Sequence, residues 1–133
     1  RVLIMGICGS LSDRYTVGDI VLYQDCVYQG KRQECDRTFT AQLHSALSYR
    51  SRLIASLPTP HQNLVKSLTS DRVIWSAAEK RHLGETLRAD VVDMEGFTAL
   101  EFFNAAGVAV AMLRVVSDDC HTIIPISHQQ LTP

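Results

Sequence analysis

The chain has 133 residues, 46% of them hydrophobic and 20% charged, with a formal net charge of −1. That is enough chain for one core and too little for two ordinary domains, and the composition excludes a disordered segment and a general nucleic-acid binder, which would be distinctly basic. No uninterrupted apolar run approaches the roughly 20 residues of a membrane span, and no basic segment leads into an apolar, small-residue leader. The expectation is one domain over residues 1–133, cytoplasmic, with neither nucleic acid nor membrane as partner. Cys8, Cys26, Cys35 and Cys120 form no C-x-x-C pair, and His44, His61, His82, His121 and His128 show no ligand spacing, so reduced thiols and no metal are expected.

Residues 2–5 are a continuous apolar run, the pattern of a strand buried on both faces of a parallel sheet. Gly6, Ile7, Cys8, Gly9 and Ser10 follow as a turn whose amides could meet an anion or a sugar hydroxyl. Residues 12–16 read as loop, Gly18-Asp19 opens a strand over 20–28, and the polar stretch 29–36, with Lys31-Arg32 at its tip, reads as a surface loop. From 38 to 56, Leu43, Leu47, Ile54 and Leu57 recur at helical spacing and predict a covering helix that Pro58-Thr59-Pro60 terminates. Two short strands, 63–69 and 72–75, flank a turn at Ser70-Asp71. Ser76-Ala77-Ala78-Glu79 fits a capping box, which makes Ser76 and Glu79 structural and begins a helix to about Leu87 with Lys80, Arg81 and His82 on its solvent face.

Residues 89–93 predict a strand, 94–106 a helix with Phe97, Leu100 and Phe103 or Ala106 inward and Phe102 and Phe103 in the core, Gly107 its stop, and 108–116 another strand. Read as one βαβ unit, the two strands run the same way and present Glu95 and Asp118 on one sheet edge, where open α/β sheets bind ligands. Arg114 within an apolar strand demands a carboxylate such as Asp93 or Glu101. The plainer reading has Glu95 capping its own helix and Asp118 capping a turn. The whole predicts an α/β layered domain with a mostly parallel or mixed central sheet flanked by helices.

Val91-Val92-Asp93-Met94-Glu95-Gly96, followed by Val110-Ala111-Met112-Leu113-Arg114-Val115-Val116-Ser117-Asp118, resembles the purine nucleoside phosphorylase and methylthioadenosine/adenosylhomocysteine nucleosidase superfamily. The resemblance extends to Met5-Gly6-Ile7-Cys8-Gly9-Ser10-Leu11 and Val17-Gly18-Asp19-Ile20-Val21. It implies further strands and a helix before this segment and a helix after it, so the chain reads as a partial or reduced version of that fold.

The resemblance also implies roles. Asp118, oriented by Ser117, would assist departure of a purine; Glu95 would hold the ribose hydroxyls, with Met94 as an apolar wall; Gly6, Cys8 and Gly9 would form the glycine turn near sugar or anion. Val73, Ile74 and Trp75 are candidates for the base pocket. Phosphorylases of the superfamily hold phosphate with an arginine before the glycine turn and a hydroxyl inside it, where this chain has Ile4 and Ile7. That favours water as nucleophile and leaves phosphate as co-substrate in the alternative reading, with no other cofactor. A nucleoside-binding module without catalysis is the third reading. The nucleosidases' water-activating glutamate comes from a segment with no match here. A homo-oligomer is implied, since relatives complete their pockets with a neighbour.

Overall fold

The computed structural model describes residues 1–121. Among these, six strands form one mixed sheet: β1 (Val2–Ser10), β2 (Ile20–Tyr28), β3 (Lys31–Glu34), β4 (Val65–Thr69), β5 (Val91–Asp93) and β6 (Val110–Asp118). Three helices, α1 (Arg37–Leu53), α2 (Ala77–Leu87) and α3 (Gly96–Ala105), flank it. The order is β3-β2-β4-β5-β1-β6, and a further pairing of β2 with β6 closes five of the strands into a ring. Its centre is apolar: Val21, Tyr23, Val65, Val91, Val110 and Met112 are all fully buried, and Phe97 and Leu100 of α3 pack onto them.

Strand direction departs from expectation. β1 runs parallel to β6 but antiparallel to β5, so β5 and β6 are antiparallel to each other and the β5-α3-β6 segment is not a parallel βαβ unit. What brings the strand ends together is the end of β1. Gly9 pairs with Asp118 on one side and with Val92 on the other. β1 is also not buried on both faces: its residues alternate, with Leu3, Met5 and Ile7 exposed. Continuous apolarity marked the strand correctly, but only its last three residues are fully enclosed.

Local chemistry explains the ends of the elements. Gln29 and Gly30 both have positive φ, the geometry of a two-residue hairpin turn, and the pairing of Tyr28 with Lys31 makes 31–34 a strand where a loop was expected. Its polarity reflects an edge position, with Arg32 bonded to the buried Asp25 at 2.5 Å. Asp36 caps α1 by accepting the Phe39 amide at 2.8 Å. α1 stops at Leu53, before the prolines, and leaves Ile54 and Leu57 exposed. Ser76 caps α2, while Glu79 bonds Arg72 instead of returning to the cap. Residues 72–75 carry no strand, and Phe102 is exposed on the outer face of α3. Gly107, at φ 72°, turns the chain out of α3.

Candidate functional site

A cavity of about 280 Å³ opens where β1, β5 and β6 end, lined on one side by Cys8, Gly9, Ser117 and Asp118 and on the other by Met94 and Glu95. Val73 and Ile74 lie on its wall, whereas Gly6 and Trp75 do not line it. A cleft of about 370 Å³ elsewhere is larger, but it is lined by Arg14, Arg81, Arg88, Glu85 and Asp90 in mixed signs and holds none of the convergent groups described next.

Asp118 closes β6. Its Oδ2 accepts from Lys80 Nζ at 2.7 Å, and its Oδ1 accepts from Ser117 Oγ at 2.8 Å. The Ser117 hydroxyl is also 3.2 Å from the Cys8 carbonyl, so it joins the acid to the end of β1, where residues 6–10 continue the strand and do not form the expected turn. Lys80 was expected in solvent, yet its side chain is fully buried and it also bonds the Asp119 carbonyl at 2.7 Å. The signal was present: Ala77, Lys80, Leu83 and Gly84 share one helical face, the face that α2 turns inward. An ammonium on that face is tolerated only with a charged partner at its tip, which Asp118 supplies. Gly9 is needed for the same closeness, since a Cβ there would lie 2.8 Å from Asp118 Oδ2.

Glu95 stands at the entrance to α3 but does not cap it. Its Oε1 instead accepts from Arg114 Nη1 at 2.6 Å, and most of the Glu95 side chain remains exposed to the cavity mouth. Arg114 is almost completely buried, with its Nη2 3.9 Å from Asp93 Oδ2; Glu101 plays no part in its pairing. Gly6 makes room for it, because a Cβ there would sit 2.4 Å from Nη1. Gly6 therefore makes room for the guanidinium and does not line the cavity.

Asp93 does the capping that Glu95 does not. Its carboxylate accepts from the Gly96 amide at 3.0 Å, from Tyr23 Oη at 2.8 Å and from Thr69 Oγ1 at 2.9 Å. Thr69 Oγ1 in turn accepts from the Phe97 amide at 2.9 Å. This buried network joins β2, β4, β5 and α3 below the cavity floor. Tyr23 and Thr69 were missed as supports because nothing in their local patterns distinguishes them from ordinary strand residues. Burial, then the neighbouring Asp93 carboxylate, push the Cys8 thiol up to about 12, so Cys8 is a neutral wall and not a nucleophile.

The family model described as "Phosphorylase superfamily" matches residues 1–130. The chain belongs to that superfamily. Among solved structures, a futalosine hydrolase mutant of Helicobacter pylori is similar over 92% of this chain and 59% of its own, with 18% identity and a TM-score of 0.78. The 5'-methylthioadenosine/S-adenosylhomocysteine nucleosidase of the same organism, bound to butyl-thio-DADMe-Immucillin-A, covers 92% of this chain and 56% of its own at 19% identity and a TM-score of 0.76. The Campylobacter jejuni nucleosidase of the same name covers 96% and 60% at 17% identity and a TM-score of 0.72. These likenesses establish a shared fold, and the chain spans about three-fifths of the length of each of these proteins. No curated protein matches the sequence. No helix among the described residues is long and apolar enough to cross a membrane.

Proposed function

We propose that this site binds a purine nucleoside and cleaves its N-glycosidic bond, with water as the acceptor. The observation that carries the reading is that Glu95 and Asp118, 23 positions apart in sequence, line one cavity while each is held by a buried cation on its far side. In cleavage the bond from the sugar carbon to the purine nitrogen breaks and its electron pair leaves with the base. Positive charge develops on the sugar and negative charge on the purine. Asp118 hydrogen-bonds the base and passes a proton to its ring nitrogen, a contribution of about 10²- to 10⁴-fold; the water oxygen bonds the sugar carbon, and the proton that the water gives up replaces the one Asp118 delivered. Ser117 fixes the plane of that carboxyl group. Glu95 accepts hydrogen bonds from the ribose hydroxyls and counters the growing positive charge, with Met94 against the sugar.

Water is favoured over phosphate by what lies at the end of β1. Ile7 lines the cavity and is exposed there, where an anion would need donors. A homo-oligomer belongs to the same reading: Leu3, Met5 and Ile7 lie along one exposed face of β1, and Val115 pairs beside Ile7. A cytoplasmic location fits the four free cysteines.

Adenine release from 5'-methylthioadenosine, followed with and without inorganic phosphate, tests the proposal. Equal release under both conditions is the expected result. A strict phosphate requirement would replace hydrolysis by phosphorolysis, and binding without release would make the chain a nucleoside-binding module.

A further inference from the structure

At the cleft of about 370 Å³, whose lining includes Asp13 and Cys120, three unlike donors converge from distant parts of the sequence. Asp13 lies in the turn after β1; Cys120 and His121 follow β6. Their ligand atoms all lie within 4.8 Å of one another. Cys120 Sγ is 3.4 Å from Asp13 Oδ1, and His121 Nε2 contacts the same oxygen. Cys120 is buried, whereas the Asp13 and His121 side chains are 75% and 60% exposed. The other three cysteines are set apart from this one, because Cys8, Cys26 and Cys35 belong to the apolar core.

We propose that Asp13, Cys120 and His121 bind one Zn²⁺ ion, with water in the fourth position. A thiolate, an imidazole and a carboxylate are the ligand types zinc takes, and the mixture suits it better than calcium or magnesium, which favour oxygen alone. Tetrahedral bonds of about 2.0–2.3 Å place ligand atoms roughly 3.3–3.8 Å apart, so Cys120 Sγ and Asp13 Oδ1 are already at that spacing, while the contact between His121 Nε2 and Asp13 Oδ1 must open to admit the ion. The two exposed side chains have the freedom to do so while Cys120 stays fixed. On binding, the sulfur–hydrogen bond gives way to a sulfur–zinc bond and the proton passes to solvent. Arg81, which donates to the Cys120 carbonyl at 3.0 Å, opposes the ion. The thiolate, Asp13 and Asp119, whose Oδ1 accepts the His121 amide at 3.0 Å, outweigh it. The bound ion would tie residues 119–121 to the turn at 12–14, stiffening the segment that leaves Asp118. Its role is structural, and the proposal does not depend on the nucleoside reading.

The test is titration of the chelator-treated full chain with Zn²⁺ by calorimetry and with Co²⁺ by absorption spectroscopy. One ion per chain is expected, with the near-ultraviolet band of a cobalt–thiolate bond. Cys120→Ser should abolish that band. The exposed-site variants Asp13→Asn and His121→Ala, which threaten the fold least, should each weaken binding by about tenfold or more, since even an outer hydrogen-bond partner of a ligand is worth that much. Absence of binding at micromolar Zn²⁺, or unchanged affinity in both exposed-site variants with circular dichroism intact, would overturn the assignment.

Discussion

Asp118→Asn is expected to lower turnover of a purine nucleoside by about 10²- to 10⁴-fold while changing its affinity by no more than a few-fold. The amide keeps the shape and can still accept from Lys80 Nζ, which lies 2.7 Å from Oδ2 in the native chain. What it cannot do is deliver a proton at the leaving nitrogen. Lys80→Met is the companion experiment. It removes the buried cation but leaves the carboxylate in place, so the loss should be smaller and should fall on kcat more than on KM. If Asp118→Asn retained full turnover, or if it lost binding and turnover in parallel, the residue would not act on the departing base.

Arg114→Met is expected to destabilise the chain by about 3–5 kcal/mol, read from urea denaturation, because breaking a buried ion pair strands its partner. Arg114 is 2% exposed, and its Nε and Nη2 have no hydrogen-bond partner among the described residues. Its stability contribution therefore rests on charge more than on well-made hydrogen bonds, and the cost of the substitution falls on Asp93, which would lose the cation 3.9 Å away while staying buried. Glu95→Gln should behave oppositely. Glu95 is largely exposed, so the amide should leave stability within about 1 kcal/mol and impair nucleoside binding instead. Equal stability of Arg114→Met and the native chain would contradict the placing of this guanidinium as the support of the sugar-side acid.

These two experiments separate what could be read from the residues from what could not. Local chemistry was legible: Ser76 caps α2, Leu87 ends it, Gly107 stops α3, and the run from Asp93 to Glu95 leaves a strand for a helix. The meeting of Glu95 and Asp118 was also anticipated, although for an incorrect reason. Strand direction depends on which strands lie between two others, and no local pattern of β5 or β6 encodes the intervening β1, which is antiparallel to one and parallel to the other. Charge was misleading where its partner was remote. Lys80 looked like a solvent residue because Asp118 lies 38 positions away. The same remoteness hides Asp13 from any search for ligand spacing near Cys120, since 107 positions separate them.

The central claim is that one nucleoside spans from Glu95 to Asp118. A crystal structure of the chain with a hydrolysis-resistant purine nucleoside measures this directly. The account predicts both ribose hydroxyls within about 3 Å of the Glu95 carboxylate and a purine ring nitrogen within about 3 Å of Asp118. A nucleoside seated elsewhere, or touching one of these acids and not the other, would contradict it.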